Sequence, residues 1–333
     1  MGAIEPPPRR AGGTDPGPAG RARQARIRRG RGALALVLAA GVLLAVALVG
    51  GGSTHGHAHS TGAARATHAA AASGGSARGG HVPIASGSAA GSAEESAQAP
   101  EIRRLIGLGR PIYCAARRGN EVALTFDDGP GPYTRLVIAK LRKHGIRATF
   151  FVVGRNIQLV KDPRGSSIVR DERTVGALGD HTFTHPLLTS LAPVEAEREI
   201  VRTRAALVRA SGGAVFLFRP PYGAHDARID SVARAHGLLE ILWNVDSADS
   251  LGANYAAIER NVIAGLRGGS IILMHENHGQ TVRALLAIFA ALQRKHLRAV
   301  SVPQLLRDDP PSVAQVRSGG AGCGVSGGLR SGG

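Results

Sequence analysis

A parallel α/β sheet covered by helices, wound open or closed as a barrel, is the fold this sequence predicts. Two observations predict it. From residue 121 onward, short β-rich runs alternate with stretches of helical spacing, which is the pattern of repeated strand-then-helix units. The polar residues best suited to chemistry also fall just after those runs, and in a parallel sheet the strand ends converge on one face.

The first run, EVALTF, leads into Asp127 and Asp128 and then at once into Gly-Pro-Gly-Pro. YTRLVIAKLRKHG follows with helical spacing, RATFFVV is the second strand, and VEAEREIVRTRAALVRASG is a long amphipathic helix. AVFLF stands just before Arg219 and is succeeded by the helical RIDSVARAHG; LLEILWNV leads to Asp246 and Asp249, with YAAIERNVIAGLRGG behind it. SIILM precedes His275, TVRALLAIFAALQRKH is the next helix, and LRAVSV closes the series. Neither G-x-G-x-x-G nor G-x-x-x-x-G-K-[ST] follows any of these strands, which removes the dinucleotide and P-loop classes.

The 333 residues, 43% of them apolar, suffice for a real core, but the apolar residues are unevenly spread. Residues 1 to 100 contain no Phe, Trp or Tyr, and outside one block they cannot offset the entropy of ordering a chain. That block, Ala33 to Val49, has no charge and follows the arginine-rich RARQARIRRGRG. We expect a basic cytoplasmic segment over 1–32, disordered, and a transmembrane signal anchor over 33–50, with the rest of the chain outside. A cleaved secretory signal is the competing reading. Residues 51–100 read as a flexible linker, in which His55, His57 and His59 are an incidental tract. The catalytic unit is expected over 101–307, and 308–333 as a disordered tail.

Of the net charge of +17, +6 lies on residues 1–100 and +11 on the remainder. With export, that charge points to an anionic cell-wall or membrane surface; no zinc-finger, RNP or basic-zipper pattern supports nucleic acid. The two cysteines, Cys114 and Cys323, fit no zinc spacing, and a disulfide between them is left open.

His181 and His185, in GDHTFTH, are four apart and can ligate one ion through neutral imidazole nitrogens. A carboxylate from the Asp127 and Asp128 pair would complete a facial set with open positions. Adjacent residues at a strand end point in different directions, so one aspartate can bind a cation while the other accepts a proton. The cation also makes two neighbouring carboxylates tolerable.

TFDDGP, HTFTH, RPPYG, WNVDSAD and ILMH, five motifs in order over residues 115 to 307, resemble those of the polysaccharide deacetylases, carbohydrate esterase family four. The resemblance implies a distorted (β/α) barrel with parallel strands and fewer than eight units. It implies hydrolysis of acetyl groups on a glycan with a divalent metal, zinc above all, with cobalt or nickel as alternatives. It makes Asp128, His181 and His185 the metal ligands, Asp127 the general base and His275 the general acid. Arg219 would orient Asp127, and Asp249 would keep His275 protonated, with Asp246 as its competitor. The Tyr222 backbone N–H would serve the oxyanion, and Pro220, Tyr222 and Leu273 would line the substrate site. Two departures stand out: Ser250 where many relatives have Trp, and Val175, Gly176 and Ala177 where Gly-His-Glu is common. Peptidoglycan N-acetylglucosamine or N-acetylmuramic acid is the expected substrate, with chitooligosaccharides, O-acetylated xylan and a catalytically silent glycan-binding role as alternatives.

Overall fold

A computed structural model of the protein describes residues 100–159 and 165–324. The expected N-terminal segment and the anchor lie outside these, as does all but the last residue of the expected linker. Among the described residues no helix is long and apolar enough to cross a membrane.

After a helix over residues 100–107 (α1) the chain alternates as the pattern predicts. The strands are β1 (Glu121–Gly129), β2 (Ala148–Val152), β3 (Gly176–Asp180), β4 (Leu217–Phe218), β5 (Leu239–Glu240), β6 (Val245–Asp246), β7 (Ile271–His275) and β8 (Arg298–Ala299). Between them run α2 (Thr134–Lys143), α3 (Gly154–Leu159), α4 (Gly165–Val175), α5 (Pro193–Ser211), α6 (Ala227–Ala235), α7 (Tyr255–Gly265) and α8 (Gly279–Arg294). Local chemistry sets their ends. Pro193 starts α5, with Glu195 accepting from the Ala192 N–H, while Asp226 and Asn254 cap α6 and α7.

The strands are parallel in the order β5-β4-β3-β2-β1-β7-β6, with β8 on the start of β1. The two ends of this path are consecutive in sequence. The run LLEILWNV, expected as one strand, pairs with β4 through Leu239 and Glu240 and with β7 through Val245 and Asp246. By changing partners it closes the sheet into a barrel, and the Asn244 side chain holds the crossing by accepting from the Ile271 N–H at 2.8 Å.

Strand alternation divides the core. Val122, Leu124 and Phe126 of β1 pack outward with Phe150 and Val152 against the helices. Ala123, Phe151, Leu217, Leu239, Ile241 and Leu273 fill the interior. Along these inward rows, the positions nearest the C-terminal rim are Asp127, Arg219 and His275.

The fold runs past the expected boundary at 307. Residues 308–324 are not a disordered tail: they include α10 (Val313–Arg317), after α9 (Val302–Asp308), and a 3-10 turn at Gly319–Cys323. Val316 is buried, and Cys323 is disulfide-bonded to Cys114 across 209 residues. That covalent anchor, with Ser312 capping α10, orders a segment whose glycine content argued against order.

Candidate active site

The site is built where strands end. β1 pairs Asp127 with His275 of β7, and its register with β2 slips between Asp127 and Gly129. Asp128 occupies that bulge at φ 68°, so its carboxylate leaves the strand in a direction Asp127 does not share. Gly129 is required beside it, because a Cβ would overlap the Glu276 carboxyl. Thr182 (φ 64°), His185 (φ 62°), Tyr222 (φ 63°) and Ala248 (φ 59°) are also left-handed. Backbone strain of this kind persists only where the surroundings over-determine it, and five of the seven such non-glycine residues among those described lie on the loops of this site.

His181 Nδ1 lies 2.7 Å from the Arg219 carbonyl oxygen, which can only accept. The proton is therefore on Nδ1, and the Nε2 lone pair faces Asp127 Oδ2 at 3.7 Å and Asp128 Oδ1 at 3.6 Å. Burial lowers the pKa of His181, which keeps the imidazole neutral. His185 Nε2 stands 3.2 Å from the same Asp128 oxygen. That oxygen is buried and has no hydrogen-bond donor, and one ligand atom each from Asp128, His181 and His185 lie within 4.8 Å of one another. An orphaned carboxylate oxygen facing two imidazole lone pairs fits a divalent cation.

Arg219 is fully buried. Its guanidinium donates to Asp127 Oδ1 at 2.7 Å, to Thr125 Oγ1 at 2.8 Å and to the carbonyls of Ile241 and Leu242, with Phe151 4.1 Å beneath it. Four of its five N–H donors are committed, so the group that holds Asp127 is itself fixed in one orientation.

His275 Nδ1 is 2.7 Å from Asp249 Oδ1, while Asp249 Oδ2 accepts from the His275 N–H and from Thr281 Oγ1. Burial opposes a charge on His275, but the Asp249 bond and the charges of Asp127, Asp249 and Asp128 outweigh it, raising its pKa to about 9. The choice left open between Asp246 and Asp249 is thereby decided: Asp246 is exposed and accepts from the Ala248 N–H.

The expected residues come together, Asp246 included: it pairs with Leu273 and its charge acts on Arg219, although its side chain is exposed. Pro220 and Leu273 are buried beside the site, whereas the Tyr222 ring is 66% exposed and 4.9 Å from His185. Ser250, one departure, is exposed next to Leu251, itself 82% exposed. His278 is a half-buried rim residue against His275. Supporting residues that the sequence did not reveal are Thr125, Thr281, Asn156, which donates to the Asp128 carbonyl, and Glu199, which accepts from the Phe183 and Thr184 N–H groups. Thr125 opens TFDDGP without the motif giving it a role, and the other three belong to no motif; only their position across a barrel marks them.

A parallel barrel bearing a His-His-Asp ligand set beside an Arg-held carboxylate and an Asp-held imidazole defines a hydrolase of the metal-assisted class. The polysaccharide deacetylase family model matches residues 115–241. A peptidoglycan-N-acetylglucosamine deacetylase from Bacillus cereus is 34% identical, over 56% of this chain and 68% of its own. PgdA, the corresponding deacetylase of Listeria monocytogenes, is 33% identical over 59% of this chain, which spans 41% of that protein. Among solved structures, a family 4 carbohydrate esterase from Streptomyces lividans in complex with acetate superposes with a TM-score of 0.52 at 37% identity, covering 56% of this chain and 95% of that one. The chain belongs to the polysaccharide deacetylase family, carbohydrate esterase family four.

Proposed function

We propose that this chain removes N-acetyl groups from peptidoglycan, at N-acetylglucosamine or N-acetylmuramic acid. One observation carries the reading: Asp127 and His275, paired across β1 and β7, flank the Asp128, His181 and His185 ligand set. A divalent cation there, zinc on this donor set, supplies Lewis-acid polarisation of a carbonyl and acidifies a water. Asp127, fixed by Arg219, takes the proton of the attacking water. His275, kept charged by Asp249, delivers a proton to the departing sugar nitrogen, and the Tyr222 N–H donates to the developing oxyanion. Leu273 and Pro220 offer an apolar wall to the acetyl methyl.

The peptidoglycan assignment is supported by the similarity to wall deacetylases and by a net +11 over residues 101 to 333, suited to an anionic wall. The hydrophobic block at 33–49 would hold this unit on the outer face of the membrane. The test is acetate release from peptidoglycan and from chitooligosaccharides after chelation and zinc re-addition, with Asp127→Asn as control. Zinc-restored release from peptidoglycan, lost in the variant, is expected; release from chitooligosaccharides alone would overturn the substrate and keep the chemistry.

A further inference from the structure

A second cluster of ligand-type side chains lies on the other side of the barrel wall, behind the loop that carries Tyr222. Leu239 and Ile241 face the barrel interior, so Glu240 between them points outward, toward α6. There it meets Asp230, in the first turn of α6, and His225, three residues beyond Tyr222. His225 Nδ1 is 2.9 Å from Asp230 Oδ1 and 3.7 Å from Glu240 Oε1, and one ligand atom of each residue lies within 4.8 Å of the others.

Glu240 is only 4% exposed, and neither of its carboxylate oxygens has a hydrogen-bond partner. Asp230 is 8% exposed. Arg110 and Arg234 line the same small cavity, yet neither guanidinium comes within ion-pair distance of a carboxylate among the described residues. Two buried carboxylates are thus met by a single imidazole. Burial and the adjacent Asp230 charge push the Glu240 carboxyl well above its ordinary range, so the pair must share a proton or hold a cation.

We propose that His225, Asp230 and Glu240 form a second divalent-cation site, which ties β5 to α6 and braces the loop bearing Tyr222. One imidazole nitrogen with two carboxylates suits zinc or manganese; calcium prefers six or more oxygens. His225 Nε2 lies 3.3 Å from the Tyr113 hydroxyl, a partner that can take the Nε2 proton and leave Nδ1 free as a ligand. Both carboxylates are buried, so the role is structural.

The test counts metal. The full-length chain in detergent, with His55, His57 and His59 replaced by serine throughout, is stripped with chelator, dialysed against zinc and analysed for bound metal. Glu240→Gln and Asp128→Asn are each expected to lower the count by about one ion per chain, and the double variant by about two. A count that Glu240→Gln leaves unchanged overturns the proposal in favour of a shared proton. Should Glu240→Gln fail to fold, the Asp128→Asn chain decides: a cation bound only by the folded state must raise its unfolding midpoint. A rise on adding zinc supports the second site, and no rise overturns it.

Discussion

Asp127 and Asp128 are chemically identical neighbours, and the bulge that separates their directions gives them separate work. The same division holds for the histidines. His181 is kept neutral by burial, with its one proton placed on Nδ1 by the Arg219 carbonyl, whereas His275 is held charged by Asp249. Because the His275 pKa is raised, the acid form is present below about 9 and is lost as pH rises through that value. Replacing Asp249 by Asn should therefore move the alkaline limb of kcat/KM down by more than one pH unit, toward the ordinary histidine value of about 6.5. The stability that His275 contributes should be full below that ordinary value and be lost in the same window. A profile whose alkaline limb does not move would remove His275 from the proton path. For Arg219→Met, a buried carboxylate is left unpaired, and unfolding stability should fall by about 3–5 kcal/mol in a denaturant titration. Asp127, Asp128, Arg219, Asp249 and His275 were legible in the sequence because each stands at or soon after the end of a strand-like run, and His181 and His185 because of their spacing of four. Thr281 was not: it lies in α8, and its hydroxyl reaches Asp249 from 32 residues away.

At the scale of elements, legibility followed side-chain size. β1, β2 and β7 are rich in β-branched and aromatic residues and read as strands; β3, GALGD, did not. Its small residues are demanded by packing, since a Cβ at Gly179 would overlap the Phe151 ring. Gly179→Val should cost about 1–3 kcal/mol of stability by displacing that ring, measured as a lower denaturation midpoint. The partner change within LLEILWNV was invisible for a different reason: alternation shows that residues are extended, not which neighbours they find. Outward-facing Glu276 and Glu172 of α4 are both fully buried behind the Asp128 turn, where the two carboxyls meet each other and, among the described residues, no cation. Burial drives the Glu276 carboxyl up to about 8 and Glu172 well above its usual range, so the pair is protonated in the fold at acidic pH. Stability from this pair is full below the ordinary carboxylate range and is lost as pH rises through about 8. Glu276→Gln, which cannot ionise, should accordingly gain stability relative to the parent as pH is raised from 5 to 9; a difference that does not grow with pH would show the carboxyls to be ionised throughout.

Over the whole molecule, the two ends of the barrel are separable. Chemistry occupies the C-terminal rim, while Cys114 bridges to Ser270, at the start of β7, and carries the disulfide to Cys323 at the opposite end. The covalent link closes a loop of 209 residues. In the chain-entropy account such a closure stabilises by about 5 kcal/mol, an upper figure when the unfolded chain retains structure. Part of that gain is local, because α10 places Val316 in the core and Gln315 donates to the Ala115 carbonyl at 2.8 Å. Cys323→Ser should therefore lower the denaturation midpoint substantially, and a reductant should lower the parent to the same value while leaving the variant unchanged. Acetate release at temperatures where the variant remains folded should match the parent, since Cys114 meets β7 at Ser270, at the end of the strand opposite His275. If turnover instead falls in step with stability, the closing segment governs the geometry of the rim, and the barrel transmits strain along its whole height.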